Sequence, residues 1–235
     1  MTMNRREAMS AISLGGVALV QDGFAKQARE GKPGTHPIAP LPFDPTKLRN
    51  LSEKLIVSHH ANNYAGAVKN LNKVEAELAN LTKDTPPFVV AGLKERELTF
   101  RNSATLHELY FGNLGGDGNL QGNIAEAIGS AYGSTARFEE LLRLCAMSLA
   151  GGSGWVVLGF DLHRNDLVTY WSGGHPQNLA ATLPLLVLDM YEHAFHIDYG
   201  AAAAKYLDAF LANVHWQEVA RRFDAARKAS AALRG

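Results

Sequence analysis

The sequence predicts an α+β protein: an N-terminal long α-hairpin domain, then a C-terminal α/β domain with a three-stranded antiparallel sheet flanked by helices. Three observations carry this. Leu48, Leu51, Leu55 and Gly66 share one helical stripe, "TKDTPPF" breaks the helix at Pro86 and Pro87, and a second stripe of Phe100, Ala104, Tyr110, Phe111 and Leu114 follows. Two long helices around a breaker imply an antiparallel hairpin. The β-branched and aromatic runs "GWVVLGFDL" and "DLVTYWS", joined by "HRN", imply a β-hairpin, and "LPLLVL" a third, buried strand. Between these halves "GGDGN", Gly115 to Asn119, marks the boundary, so the hairpin domain spans 41–115 and the α/β domain 120–235. A helix over roughly Ser134 to Ala150 precedes the sheet, and helices from about Gly200 to Arg234 follow it.

The chain has 235 residues, 46% of them hydrophobic, enough to bury a core. Its 23 basic and 23 acidic residues give no bulk charge to attract nucleic acid or an anionic membrane. One cysteine, Cys145, excludes an intramolecular disulfide and a thiolate metal cluster. Residues 1–25 are expected to be an export signal of twin-arginine type: Arg5 and Arg6 precede an apolar stretch, Ala8 to Val20, and then small residues. That stretch is shorter than the ~18–20 residues a membrane span needs, so a periplasmic or exported protein without a membrane anchor in its mature form is expected. "KQAREGKPGTHPIAP", residues 26–40, reads as a linker or extended arm.

The chemistry concentrates at four positions. His59 lies four residues after Leu55, in the middle of the first apolar stripe, and His107 lies four before Phe111 on the second. Either alone would be an ordinary buried imidazole. Asp189 and His193, four apart, follow the apolar run "LPLLVL", and a buried carboxylate needs a compensating partner. Three imidazoles and one carboxylate form a donor set suited to Fe, Mn or Zn.

These residues sit in "SHHANNY", "ATLHELYFGNL" and "DMYEHAF", and with "GSGWVVLGF" they make the chain resemble the iron/manganese superoxide dismutase family over about Leu41 to Phe223. The resemblance implies an N-terminal helical hairpin and a C-terminal α/β domain holding one Fe or Mn ion per subunit through His59, His107, Asp189 and His193. It also implies superoxide as substrate and Trp155 near the metal pocket. A homodimer or homotetramer follows through Glu192, reaching the partner subunit's His193, and through His196.

The departures from the family pattern are specific. The family's gateway tyrosine falls on Ala67, and its usual histidine four after the first ligand is Asn63, while the tyrosine that pairs with it across the dimer is His196. The glutamine that bonds to the solvent ligand is absent from both usual places: Ser103 occupies one, and in "SGGHPQN" His175 aligns with the other. The motif tryptophan is Tyr191. Tyr64 is a candidate to send a hydroxyl toward a funnel widened at Ala67, although a regular helix sets it about 140° from His59. His60 should point about 100° away from His59; His36, His163 and His215 read as solvent-facing or structural. The expected function is superoxide dismutation, with His175, Trp155, Asn63 and Tyr64 assisting. The alternative is a metal-binding protein of the same fold with weak or no dismutase activity. A zinc hydrolase using the same three histidines and aspartate would need an open coordination site with a nearby general base, and the sequence has no H-E-x-x-H or comparable motif.

Overall fold

A computed structural model describes residues 32–234; the expected export signal and the first part of the arm lie outside them. Asp44 caps a 3₁₀ turn over Pro45–Lys47, and the first helix starts at Glu53, not at Leu48. Its start is fixed by Ser52, whose Oγ accepts the Leu55 N–H at 3.0 Å. The helix has three parts: α1 (Glu53–Ser58), a π-helical turn (His59–Tyr64) and α2 (Ala65–Ala79). The second helix, α3, runs Pro87–Gly112, a full three turns longer at its start than expected. Pro87 occupies its first turn, where a missing N–H costs nothing, so the proline pair starts this helix as well as ending the connection before it.

After the glycine-rich stretch come α4 (Asn123–Tyr132), which the sequence reading did not anticipate, and α5 (Thr135–Ser148). Gly133, at φ 86°, ends α4 in the left-handed conformation, and Ser134 caps α5 one residue later. The sheet is as expected: β1 (Trp155–Asp161), β2 (Asp166–Ser172) and β3 (Thr182–Asp189), all pairs antiparallel, in the order β2-β1-β3. The central strand is buried at every position. A 3₁₀ turn (Glu192–Ala194), a short α6 (His196–Tyr199), α7 (Ala203–Ala212) and α8 (Trp216–Arg234) complete the chain. Among the described residues no helix is long and apolar enough to cross a membrane.

Two features of the packing position the site. The stretch Gly115–Asn119 is not a loose boundary: the N–H groups of Gly116 and Gly118 donate to the carbonyls of Asn213 and Val214 at 3.0 Å each. A Cβ on Gly116 would come within 2.3 Å of the Val214 carbonyl, so the glycine is there for backbone contact. Asn113, buried at the end of α3, joins that helix to β3: its Oδ1 accepts the Val187 N–H at 2.8 Å and its Nδ2 donates to the Leu185 carbonyl at 3.3 Å. The helix carrying His107 is thereby tied to the strand ending in Asp189. Hairpin and sheet residues, from Leu55 and Phe111 to Leu158 and Leu188, share one core.

The arm is also part of the fold. His36 lies beside the buried Glu75 of α2 with Nε2 2.8 Å from its carboxylate, Gly34 donates its N–H to Glu75, and Asn72 exchanges two hydrogen bonds with the backbone of His36. His36 is therefore a structural, half-buried residue, and its segment is a docked arm from residue 34 on, ahead of the expected start near Leu41.

Candidate metal centre

Three elements deliver the four residues to one point. The π turn begins at His59, the last third of α3 carries His107, and the end of β3 with the turn after it supplies Asp189 and His193. One ligand atom from each lies within 4.8 Å of all the others. Asp189 Oδ2 is 3.1 Å from His59 Nε2, 3.6 Å from His107 Nε2 and 3.2 Å from His193 Nε2. Donor atoms about 2.1 Å from a common ion lie ~3.0 Å apart at 90° and ~3.6 Å at 120°, so these separations suit one transition-metal ion.

The hydrogen bonding points the same way. His107 donates its Nδ1–H to the Ser103 carbonyl at 2.7 Å, which fixes the tautomer and leaves the Nε2 lone pair facing the cluster. That Nε2 has no hydrogen-bond partner among the described residues, nor has either ring nitrogen of His59, whose Nε2 approaches Asp189 without the alignment of a hydrogen bond. Each buried polar atom left so costs about 1–3 kcal/mol, and a cation among these donors removes that cost for the two Nε2 atoms.

Electrostatics sort the donors by charge. Burial lowers the basicity of His59 and brings that of His107 down to about 3, so both imidazoles are neutral at neutral pH. Burial pushes the Asp189 carboxyl up, but His193, which is hydrogen-bonded to it at 3.2 Å, outweighs that and holds the group well below the usual carboxylate range. Two neutral nitrogens beside an anionic oxygen are the protonation states that ligation requires.

The remaining candidates are distributed unevenly. Trp155 is fully buried and stands directly opposite Asp189 in the β1–β3 register, its indole edge-on to the His107 ring at 5.1 Å. Its Nε1–H donates to His175 Nδ1 at 3.0 Å. Indole can only donate, so in the neutral ring the proton of His175 is on Nε2. His175 is half-buried, stacked at 4.7 Å on Tyr191, which itself stacks at 5.3 Å on His193, and lies 6.2 Å from His107, ring to ring. Tyr191, the residue at the motif's tryptophan position, thus stands as a spacer between two imidazoles.

Asn63 is half-buried within the π turn. Tyr64 is buried, because the wide turn brings the residue five after His59 back to the inner face, where a regular helix would not. Its hydroxyl is engaged away from an open path: it accepts the Ala39 N–H at 2.8 Å and donates to Glu108 at 2.9 Å. Ala67 is also buried, within the shared core. His60 points to the arm, donating to the Ala39 carbonyl at 2.8 Å; His163 and His215 are exposed. Sequence reading missed Tyr206, whose buried hydroxyl donates to the Asp189 carbonyl at 2.8 Å, and Asn113; in a single sequence a buried polar residue on a helix carries no mark of its partner.

A buried three-histidine, one-carboxylate donor set, between a helical hairpin and the end of a small antiparallel sheet, defines the class: a mononuclear metal centre without cysteine or cofactor ring. Residues 120–222 match the model for iron/manganese superoxide dismutases, C-terminal domain. The chain is 50% identical over 188 residues to a superoxide dismutase [Fe] of Cupriavidus metallidurans, a match covering 80% of this chain and 95% of that protein. It is 32% identical over 211 residues to a superoxide dismutase [Fe] of Aquifex pyrophilus (86% and 98% covered) and 33% identical over 181 residues to a superoxide dismutase [Mn] of Mycobacterium avium (75% and 86%). The chain belongs to the iron/manganese superoxide dismutase family.

Proposed function

We propose that this chain is a superoxide dismutase using one Fe or Mn ion held by His59, His107, Asp189 and His193. The observation that carries it is the convergence of four donors within 4.8 Å, three of them buried, with the Nε2 atoms of His59 and His107 left without hydrogen-bond partners among the described residues. An ion bound there would supply the one-electron couple, taking an electron from one superoxide to release O₂ and returning it to a second, which leaves with two protons as H₂O₂.

The protein's own groups orient and protonate. Ser103 holds the His107 ring through its carbonyl, and Asp189 supplies the negative charge of the donor set. His175 presents its Nε2–H in the place of the family's glutamine, with Trp155 keeping the proton on that nitrogen and Tyr191 keeping the ring flat against its stack. Asn63, half-buried within the π turn four residues after His59, is proposed as a second polar group assisting the site. Tyr64 assists indirectly, since its hydroxyl is already bound on both sides.

Exposed Glu192 and His196 flank His193 and suit a homodimer or larger homo-oligomer built across this face; a monomeric mass in solution would refute that. Export by the Arg5–Arg6 signal is proposed from the sequence, and unchanged cell fractionation after Arg5→Lys with Arg6→Lys would refute it.

The deciding experiment is elemental analysis of protein purified from its own source, together with superoxide decay. One Fe or Mn per chain with accelerated decay is expected. A loaded protein that leaves decay unchanged replaces this reading with the second one, a metal-binding family member of weak or no activity, which the small residue at Ala67 favours.

A further inference from the structure

The two hairpin imidazoles are held in different ways. His107 is oriented by a hydrogen bond to the Ser103 carbonyl, whereas neither ring nitrogen of His59 has a hydrogen-bond partner among the described residues. Ligating histidines are normally oriented through the nitrogen that faces away from the metal. His59 instead lies among the rings of His107, Tyr110, Phe111 and His193, with centroids 5.0, 5.1, 5.0 and 4.7 Å away, at the first residue of a π-helical turn. A π turn is disfavoured on its own and persists where tertiary contacts hold it, so whatever pins this turn also aims the His59 ring.

The pin is at the other end of the turn. Tyr64, its last residue, is 1% exposed, and its hydroxyl joins three separate pieces of chain: the Ala39 N–H of the arm, the π turn itself, and Glu108 of α3, the neighbour of His107. His60, inside the turn, adds a bond to the Ala39 carbonyl. We infer that Tyr64 is a positioning residue for His59, fastening the π turn to the arm and to α3 through its hydroxyl so that His59 faces Asp189 without a hydrogen bond of its own. The inference rests on the metal-centre reading above and concerns what sets the geometry of that centre.

The test is Tyr64→Phe in the full-length, iron-loaded protein, which keeps the buried ring and removes only the hydroxyl. Expected are a changed EPR spectrum of the iron(III) protein, chelator-driven iron release faster by about tenfold, and faster hydrogen exchange at the Ala39 amide. A spectrum change is a readout that general loss of stability does not produce. Glu108→Gln keeps an acceptor for the hydroxyl and should match wild type, whereas Glu108→Leu should reproduce the Tyr64→Phe spectrum even if the tyrosine variant does not fold. Wild-type spectrum and release rate in loaded Tyr64→Phe or Glu108→Leu protein overturn this inference alone. A wild type that takes up neither Fe nor Mn overturns it together with the metal-centre reading.

Discussion

The two sides of the centre are built on opposite principles. The hairpin side contributes His59 and His107, both 1% exposed, both neutral, their rings locked by packing or by a backbone carbonyl. The sheet side contributes the charge, on Asp189, and the opening: the His193 side chain is 25% exposed, and the half-buried Tyr191 and His175 stack beside it. The difference separates two jobs. Rigid neutral nitrogens fix where an ion sits, while the sheet side supplies the negative charge and is the side open to solvent. Damage to the two sides should therefore read out differently.

Asp189→Asn gives the largest expected effect. The amide keeps the shape but removes the one formal negative charge of the donor set, so the ion should be lost and dismutation should fall on the order of 100-fold or more. Metal content and superoxide decay measure this together. An Asn variant with full occupancy and full rate would break the division of roles.

Acid should unfold the metal-free protein from the hairpin side first. His59 and His107 have basicity lowered by burial, to about 3 for His107, against an ordinary value near 6.5, so the unfolded chain binds more protons throughout that window. Stability from keeping them neutral is complete above about pH 6.5 and is lost as pH falls. Asp189 adds the same sign lower down: its depressed carboxyl stabilises above about pH 4, and that contribution is lost as the group protonates. Going from pH 6.5 to 5 should cost roughly 2 kcal/mol for His107, with His59 adding to the loss in the same direction. Urea unfolding of metal-free protein at the two pH values tests the sign, and stability rising toward acid would show that the rings are not held neutral.

How much of this was legible in the sequence follows the same division. The four donors were readable because each lies on an apolar stripe or run that had no other use for a polar group, as with His59 four residues from Leu55 and Asp189 at the end of "LPLLVL". The three strands were readable from β-branched runs around a tight turn. The start of α3 was not, because Pro87 is both a breaker in the connection and a good first residue of a helix, and exposed Phe88 to Leu98 show no clean stripe. The place of Tyr64 was not either. It depends on a π turn, which shifts every later residue around the axis and has no sequence mark of its own. Contacts made through backbone, such as Gly116 against Val214, were equally silent.

Trp155→Phe sharpens the comparison at moderate cost. The ring stays beside His107, but His175 loses the donor that fixes its tautomer. The expected result is unchanged metal content with dismutation lowered about tenfold, since outer hydrogen bonds of this kind are worth 10–100-fold. Equal loss of metal and rate would instead place Trp155 among the groups that fix the ion.

Ala67→Tyr carries the smallest expected effect on rate and is the most direct probe of how the two sides meet. It would install the family's gateway residue on the hairpin side, one turn on from Asn63 and Tyr64. Ala67 is 5% exposed and part of the shared core, so the larger ring must displace neighbours, and overpacking should cost about 1–3 kcal/mol, visible as a fall in Tm of several degrees. The rate should move less than about tenfold, because proton delivery through ordered water and His175 on the sheet side does not pass through Ala67. A loaded wild type that is inactive while Ala67→Tyr dismutates would reverse the assignment: catalysis would then need a group from the hairpin side, and the sheet side alone would not support it.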